Sequence, residues 1–390
     1  IPILQVPSIQ ELTSGKAKIN ALRPIAIEEL LMRDPITPNQ SLLNDSIMNK
    51  IILVTGAGGS IGGELSRQIL KLKPKKLILL EMSEIKLYEI KNSLCKQEYE
   101  PKDLQFVLGN ACNLNFIDEL LKSNKVSVIF HCAAYKHVPL LESNPIQGIA
   151  NNIFSTHTLC KAANNNKISK FIFISTDKAV RPTNVMGASK RLSELIVQAY
   201  ARINESSEKV NDIKNCKTCF SMVRFGNVLD SSGSVVPLFK KQISSNGPIT
   251  VTHQEITRYF MTIPEATQLV LQASMLATGG EVFLLDMGKP VKIYDLALQM
   301  ISLSGLKLKN KKHPDGDIEV KFTGLRPGEK LYEELLIDSK AKPTSNKLIY
   351  MANESFIEPE KLFPKIALLE DYILNQNEND TLKTLSELVP

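Results

Sequence analysis

No stretch of the 390-residue sequence contains the roughly 18 consecutive apolar residues that a membrane-spanning helix needs, so no helix within it is expected to cross a bilayer. A signal-peptide pattern is lacking as well. Cysteine is sparse. The six, Cys95, Cys112, Cys132, Cys160, Cys216 and Cys219, are spread too widely for a disulfide scaffold, so a reducing compartment is expected. Cys216 and Cys219 have the spacing of a redox pair or half a zinc site, but no second cysteine pair or nearby histidine completes four ligands, and no metal is expected. Basic residues form no stripe. The net charge of +6 is scattered apart from "KLKPKK" and "KLKNKKH", which argues against nucleic acid but leaves a basic surface for phosphates or a membrane open. Internal repeats and low-complexity tracts are also missing. With 43% hydrophobic and 23% charged residues, the chain can build more than one globular core.

What is present has a clear order. Residues 1–47 read as an extension, with an amphipathic segment "IAIEELLMRD" and turn signals at "DPITPN". The chain opens at Ile1 in mid-pattern, which suggests the end of an upstream region where any membrane anchor would lie. From Lys50, short apolar strands alternate with longer helical segments: "KIILVTG", "GGELSRQILKL", "KLILLEM", "LQFVLGN", "VSVIFHCAA", "KFIFIST". This alternation predicts an α/β fold, a Rossmann-like doubly wound parallel sheet over 48–228. The rhythm then loosens into turns, predicting a smaller, mainly substrate-binding region over 229–351 and a helical tail over 352–390.

"ILVTGAGGSIGGEL" places Gly56, Gly59 and Gly62 between the first strand and the first helix, with Ser60 and Ile61 between the last two. One glycine serves a tight turn, one lets backbone amides approach a pyrophosphate, and one packs helix on strand. Glu81 ends the second strand, 19 residues after Gly62, where a carboxylate can accept from ribose hydroxyls and repel a 2′-phosphate; this favours NAD over NADP. Asn110 and Ala111 follow the third strand, near an adenine edge, and Ala133 and Ala134 follow the fourth, small enough for a cofactor to lie against the backbone. Simple turn and packing roles fit these four equally well.

One further absence stands out. "STDKAVRPTNVMGASK" reads like the Tyr-x-x-x-Lys segment of a short-chain dehydrogenase, with Met186 in place of the tyrosine and Lys190 four residues on, on the same helical face. A thioether has no proton to lose. Thr176, Asp177 and Lys178 are candidates for the displaced chemistry, although Thr and Asp also suit a helix cap or turn.

Together, "TGAGGSIG", "AAYKHVPLLE", "STDKAV", "NVMGASK", "VRFGNVLDSSGSVVPLF", "TRYFMTIPEA" and "GLRPGEKLYEELL" resemble the extended short-chain dehydrogenase/reductases, and within them the large, membrane-linked UDP-N-acetylglucosamine 4,6-dehydratases of bacterial polysaccharide biosynthesis. The resemblance implies a catalytic set of Thr176, Asp177, Lys178, Met186 and Lys190. Lys190 would also reach the nicotinamide ribose, and Lys136 the cofactor. His137 is implied as a sugar-pocket residue, and Asn227, Arg258, Arg326 and Glu329 as contacts to the UDP moiety. NAD as cofactor, a UDP-sugar as substrate, a homo-oligomer and a place at the cytoplasmic face of the inner membrane are further implications. Two positions depart from the pattern: Asn110 replaces an acidic residue, and Asp230 a glycine. A nucleotide-sugar 4-epimerase or reductase, or a non-catalytic NAD-binding regulator, are the alternatives.

Overall fold

A computed structural model describes residues 4–5, 23–24, 47–95, 103–206, 217–336, 341–352 and 354–390. The amphipathic "IAIEELLMRD" segment and Cys216 lie outside these. Two short strands, Leu4–Gln5 and Arg23–Pro24, form an antiparallel pair.

The centre is a nine-stranded sheet. Its strands in chain order are β1 (Ile51–Thr55), β2 (Lys76–Glu81), β3 (Leu104–Leu108), β4 (Val128–His131), β5 (Lys170–Ile174), β6 (Cys219–Arg224), β7 (Val282–Leu285), β8 (Ala341–Pro343) and β9 (Ile349–Ala352). The spatial order is β3-β2-β1-β4-β5-β6-β7-β9-β8. Pairing is parallel from β3 to β7, and β9 and β8 close that edge antiparallel. The order reverses between β1 and β4, opening a crevice at their carboxyl ends where doubly wound sheets take ligands.

Both faces are covered, so the strands are apolar almost throughout. Along β1, Ile52 and Val54 face one core while Leu53 faces the other. Helix α1 (Ser60–Lys71) buries Leu65 and Ile69 on the first face, and α2 (Glu84–Cys95) adds Ile90 and Leu94. On the second face lie α3 (Leu114–Asn124), α5 (Pro145–Asn165) and α6 (Val185–Ser206), with the short α4 (Val138–Glu142) before α5.

A second, smaller core lies beyond β6. It joins α7 (Val235–Ser244), the strands Ile249–Val251, Leu308–Lys309 and Ile318–Phe322, and α9 (Ile293–Leu303) around Val236, Phe239, Ile249, Leu296 and Ile318. Between them, α8 (Ile263–Leu276) returns to pack on α1, and β7 and β9 rejoin the central sheet. The tail forms α10 (Pro359–Leu374) and α11 (Glu378–Leu388), whose Leu362, Ile366, Leu369 and Leu385 enter the core beneath α5 and α6. Among the described residues no helix is long and apolar enough to cross a membrane, and no cluster of metal-ligating side chains occurs.

Candidate active site

The chain leaves β1 through Gly56, whose φ of +64° puts it in the left-handed region. A Cβ there would lie 2.7 Å from the backbone of Ala133, so the loops after β1 and β4 touch where the strand order reverses. A Cβ on Gly62 would lie 2.2 Å from the Gly56 carbonyl, and the Gly59 amide donates to that same oxygen at 3.0 Å. Gly59 offers α1 no side-chain cap, leaving the first-turn amides at Ser60 and Ile61 open to an anion. Backbone packed this closely beside an uncapped helix fits a dinucleotide pyrophosphate. Glu81 holds the loop's shape: one carboxylate oxygen accepts from Gly58 at 3.0 Å and the other from the amides of Met82 and Ser83. Asn110 accepts from the Cys112 amide, while Ala111 is buried and Ala133 and Ala134 are half-buried at the crevice.

β5 delivers the second half of the site. Just past its end, Thr176 caps a short 3-10 turn over Asp177–Ala179. The Asp177 amide donates to the Phe225 carbonyl after β6, and its carboxylate is fully buried. One Asp177 oxygen accepts from the Thr176 hydroxyl and the Lys178 ammonium, both at 2.9 Å; the other accepts no hydrogen bond and faces Gly226. Lys178 also donates to Asn227 Oδ1 at 2.9 Å. Helix α6 begins against this turn, since a Cβ on Gly187 would lie 2.3 Å from the Lys178 carbonyl. Met186 is buried in the first turn of α6. One turn later, buried Lys190 donates to the Ile174 carbonyl at 2.7 Å and lies over the Phe173 ring. Burial pushes the Lys190 ammonium down to about 7, against the opposing pull of Glu194 and Cys132.

The "GLRPGEKLYEELL" loop closes over this turn from the other side. Gly328, at φ +72°, accepts through its carbonyl from Thr183 and Asn184, and Lys330 donates to Val180 O. Arg258 lies buried beneath the loop. Its guanidinium donates to the carbonyls of Thr257 and Leu331 and faces Glu329 at 3.5 Å and Glu333 at 3.7 Å. Glu333 in turn lies 3.8 Å from the Lys178 ammonium. The Arg326 side chain is exposed, and its amide donates to Glu329. Lys136 and His137 are exposed at the mouth, with the His137 ring against Gly233 of the second region. Desolvation and the neighbouring Lys136 charge lower the His137 imidazole.

Several of these groups are not distinguishable in sequence. Glu333 is one of three acidic residues in "GEKLYEELL", and nothing in its spacing separates it from Glu329 or Glu334. Beneath the site, fully buried Arg224 donates to both Glu194 and Glu354, and Arg191 bonds the same two carboxylates. Burial alone would raise the Glu194 carboxyl; Arg224, Arg191 and the Ser175 hydroxyl overcome it and hold it low. Asn152 on α5 clamps the loop after β4, accepting from the Tyr135 amide and donating to its carbonyl. A buried Asn within a helix pattern gives the signal, because a polar group there needs partners.

Known proteins share this arrangement of sequence. Residues 52–354 match the family described as Polysaccharide biosynthesis protein. The chain is 47% identical over 366 residues to the capsular polysaccharide biosynthesis protein CapD of Staphylococcus aureus, covering 94% of this chain and 55% of that protein. It is 35% identical over 356 residues to a protein of Rickettsia bellii named UDP-glucose 4-epimerase, covering 88% of this chain and 96% of that one. Among solved structures, Pen from Bacillus thuringiensis superposes with a TM-score of 0.67 at 31% identity, covering 82% of this chain and 98% of that one. The chain spans 55% of the length of CapD and of the probable polysaccharide biosynthesis protein EpsC of Bacillus subtilis. A glycine-lined crevice, a buried Asp-Lys turn and a match running from β1 to Glu354 place this chain in the polysaccharide biosynthesis protein family.

Proposed function

We propose that this chain is an NAD-dependent 4,6-dehydratase of a UDP-sugar, with UDP-N-acetylglucosamine the first candidate, serving surface polysaccharide biosynthesis. The observation that carries the reading is the buried Asp177, 2.9 Å from Lys178, at the carboxyl end of β5 beside the crevice, where Met186 removes the usual phenol. Residues 48–228 would supply the cofactor half and most of 229–351 the substrate half. The longer protein would work at the cytoplasmic face of the membrane.

NAD held in the crevice would supply a hydride acceptor for C4 of the sugar and a hydride donor for C6. The chain's residues do the rest. Gly56, Gly59, Ser60, Ile61 and Gly62 cradle the pyrophosphate, and Lys190 orients the nicotinamide ribose. Asp177 takes the C4 hydroxyl proton, directly or through Thr176, and delivers it to the departing C6 hydroxyl, which leaves as water. Neutral Lys178 removes the C5 proton, made acidic by the C4 ketone, and afterwards returns a proton to C5. Asn227 holds the Lys178 amine, His137 meets the sugar at the mouth, and Arg258, Arg326 and Glu329 contact the nucleotide.

The test is incubation of the purified chain with UDP-N-acetylglucosamine, with and without added NAD, followed by mass spectrometry. A product lighter by one water supports the dehydratase. The relative named UDP-glucose 4-epimerase favours a second reading, 4-epimerisation, which gives a new UDP-sugar of unchanged mass. Unaltered substrate, with UDP-glucose and UDP-N-acetylgalactosamine unaltered alongside it, would mean either that the further length present in the relatives is needed or that the chain only binds its cofactor.

A further inference from the structure

The dehydratase reading leaves one proton unplaced, and the geometry supplies a place for it. In the resting site Lys178 is an ammonium donating to Asp177 and Asn227, each at 2.9 Å. Once Asp177 has taken the C4 hydroxyl proton, it cannot also relieve Lys178 of its own. An amide oxygen such as that of Asn227 is not a base. Among the described residues, the remaining carboxylate facing Lys178 is Glu333, 3.8 Å away, buried, with its second oxygen Oε2 enclosed and accepting no hydrogen bond.

Resting on that reading, we propose that Glu333 is the proton partner of Lys178, receiving its proton before C5 is deprotonated and returning it when the cycle closes. The transfer breaks one N–H bond of Lys178, forms one O–H bond on Glu333, and leaves a neutral amine beside a neutral acid. Lys178 then takes the C5 proton, Asp177 protonates the departing hydroxyl, Lys178 reprotonates C5, and Glu333 restores the ammonium. Each proton has an origin and a destination, and no external acid or base enters.

The charged groups facing Glu333 come from every element around it. Lys178 and Asp177 lie on the turn after β5, Arg258 on the strand Thr257–Arg258, and Lys330 on its own loop. Burial first, opposed by Lys178, then supported by Asp177, raises the Glu333 carboxyl above the usual range, which suits a group that must accept a proton and give it back. Arg258, at 3.7 Å, and Lys330 pull the carboxyl back down.

The test separates Glu333 from the dehydratase reading by a readout that needs no turnover. Only a neutral amine reacts with acetic anhydride, so the acetylation rate of Lys178 in the cofactor-free protein, read by peptide mass spectrometry at neutral pH, reports its protonation. Glu333→Gln removes a neighbouring charge worth a factor of about ten in that balance, so acetylation speeds up by about that factor. Glu333→Asp keeps the charge in a looser site and stays near the wild-type rate. Equal rates in wild type and Glu333→Gln, or equal acceleration in both variants, would overturn the proposal. With UDP-sugar in deuterium oxide, Glu333→Gln loses C5 deuterium incorporation and kcat by about 100-fold while KM changes little, and Glu333→Asp recovers part of it. A rise in KM alone would make Glu333 a loop-ordering residue and sink the idea. Wild-type protein that never releases water would refute the dehydratase and leave the acetylation result to judge Glu333.

Discussion

Ser175 donates its hydroxyl to Glu194 at 2.6 Å, tying the end of the strand that presents Asp177 to the helix that carries Lys190. Glu194 is the common acceptor for Ser175, Arg191 and Arg224, and Arg224 reaches on to Glu354 and the Leu335 carbonyl. One buried charge network thus connects β5, α6, β6 and the loop that carries Glu333.

Breaking this network from one side leaves an uncompensated buried charge. Arg224→Met is expected to cost about 3–5 kcal/mol of stability. Ser175→Ala, which removes one hydrogen bond to a charged acceptor, should cost about 1.5–3 kcal/mol. Urea unfolding midpoints compare the two, and the prediction fails if Arg224→Met costs no more than Ser175→Ala.

Lys190 makes stability depend on pH. Its folded ammonium is held near 7 whereas the unfolded side chain titrates at 10.5, so between those values the unfolded chain holds more protons. Stability therefore rises as pH increases from about 7 towards about 10.5 and is lost again as pH falls. The melting temperature of cofactor-free protein should climb between about pH 7 and pH 9. Lys190→Met should flatten that climb, and an unchanged slope would count against a buried ammonium at this position.

Gly56→Ala tests the crevice. The added methyl meets the Ala133 backbone at 2.7 Å, and the residue already sits at φ +64°, so neither the loop nor its neighbour can yield cheaply. NAD affinity by calorimetry should fall by about tenfold or more while the circular dichroism spectrum is retained. Wild-type affinity would mean that the cofactor does not approach this turn.

Asp177→Asn keeps the shape of the turn and removes its proton chemistry. Turnover should drop by about 100-fold to 10,000-fold, with both C4 oxidation and elimination slowed. Single-turnover absorbance of the reduced nicotinamide is the check. C4 oxidation at full rate would assign the first proton to another group.

Much of this molecule could be read from local pattern. The β1 run "IILVT", the glycine spacing and the four-residue step from Met186 to Lys190 each depend on neighbours in sequence, and each predicts its place correctly. What escaped reading is what the fold brings together from afar. Glu333 and Lys178 are separated by 155 positions, and Arg224 and Glu354 by 130. Glu81 lies where its spacing puts it, yet its carboxylate is taken up by backbone amides of its own loop and the glycine turn, a contact no side-chain pattern reveals. Arg258 likewise faces carboxylates and carbonyls, because the loop above it folds inward.

The packing of α10 and α11 beneath α5 and α6 bears on how the polypeptide acquires its shape during synthesis. Strands β1 to β6 leave the ribosome long before Leu362, Ile366 and Leu385, whose side chains complete the same core. Until they emerge, the apolar undersides of α5 and α6 stay wet, and the sheet that surrounds the crevice lacks its β9 edge. A polypeptide cut after β7 would therefore expose those helix faces and an unpaired strand edge, the two features that make a partly folded chain prone to aggregate.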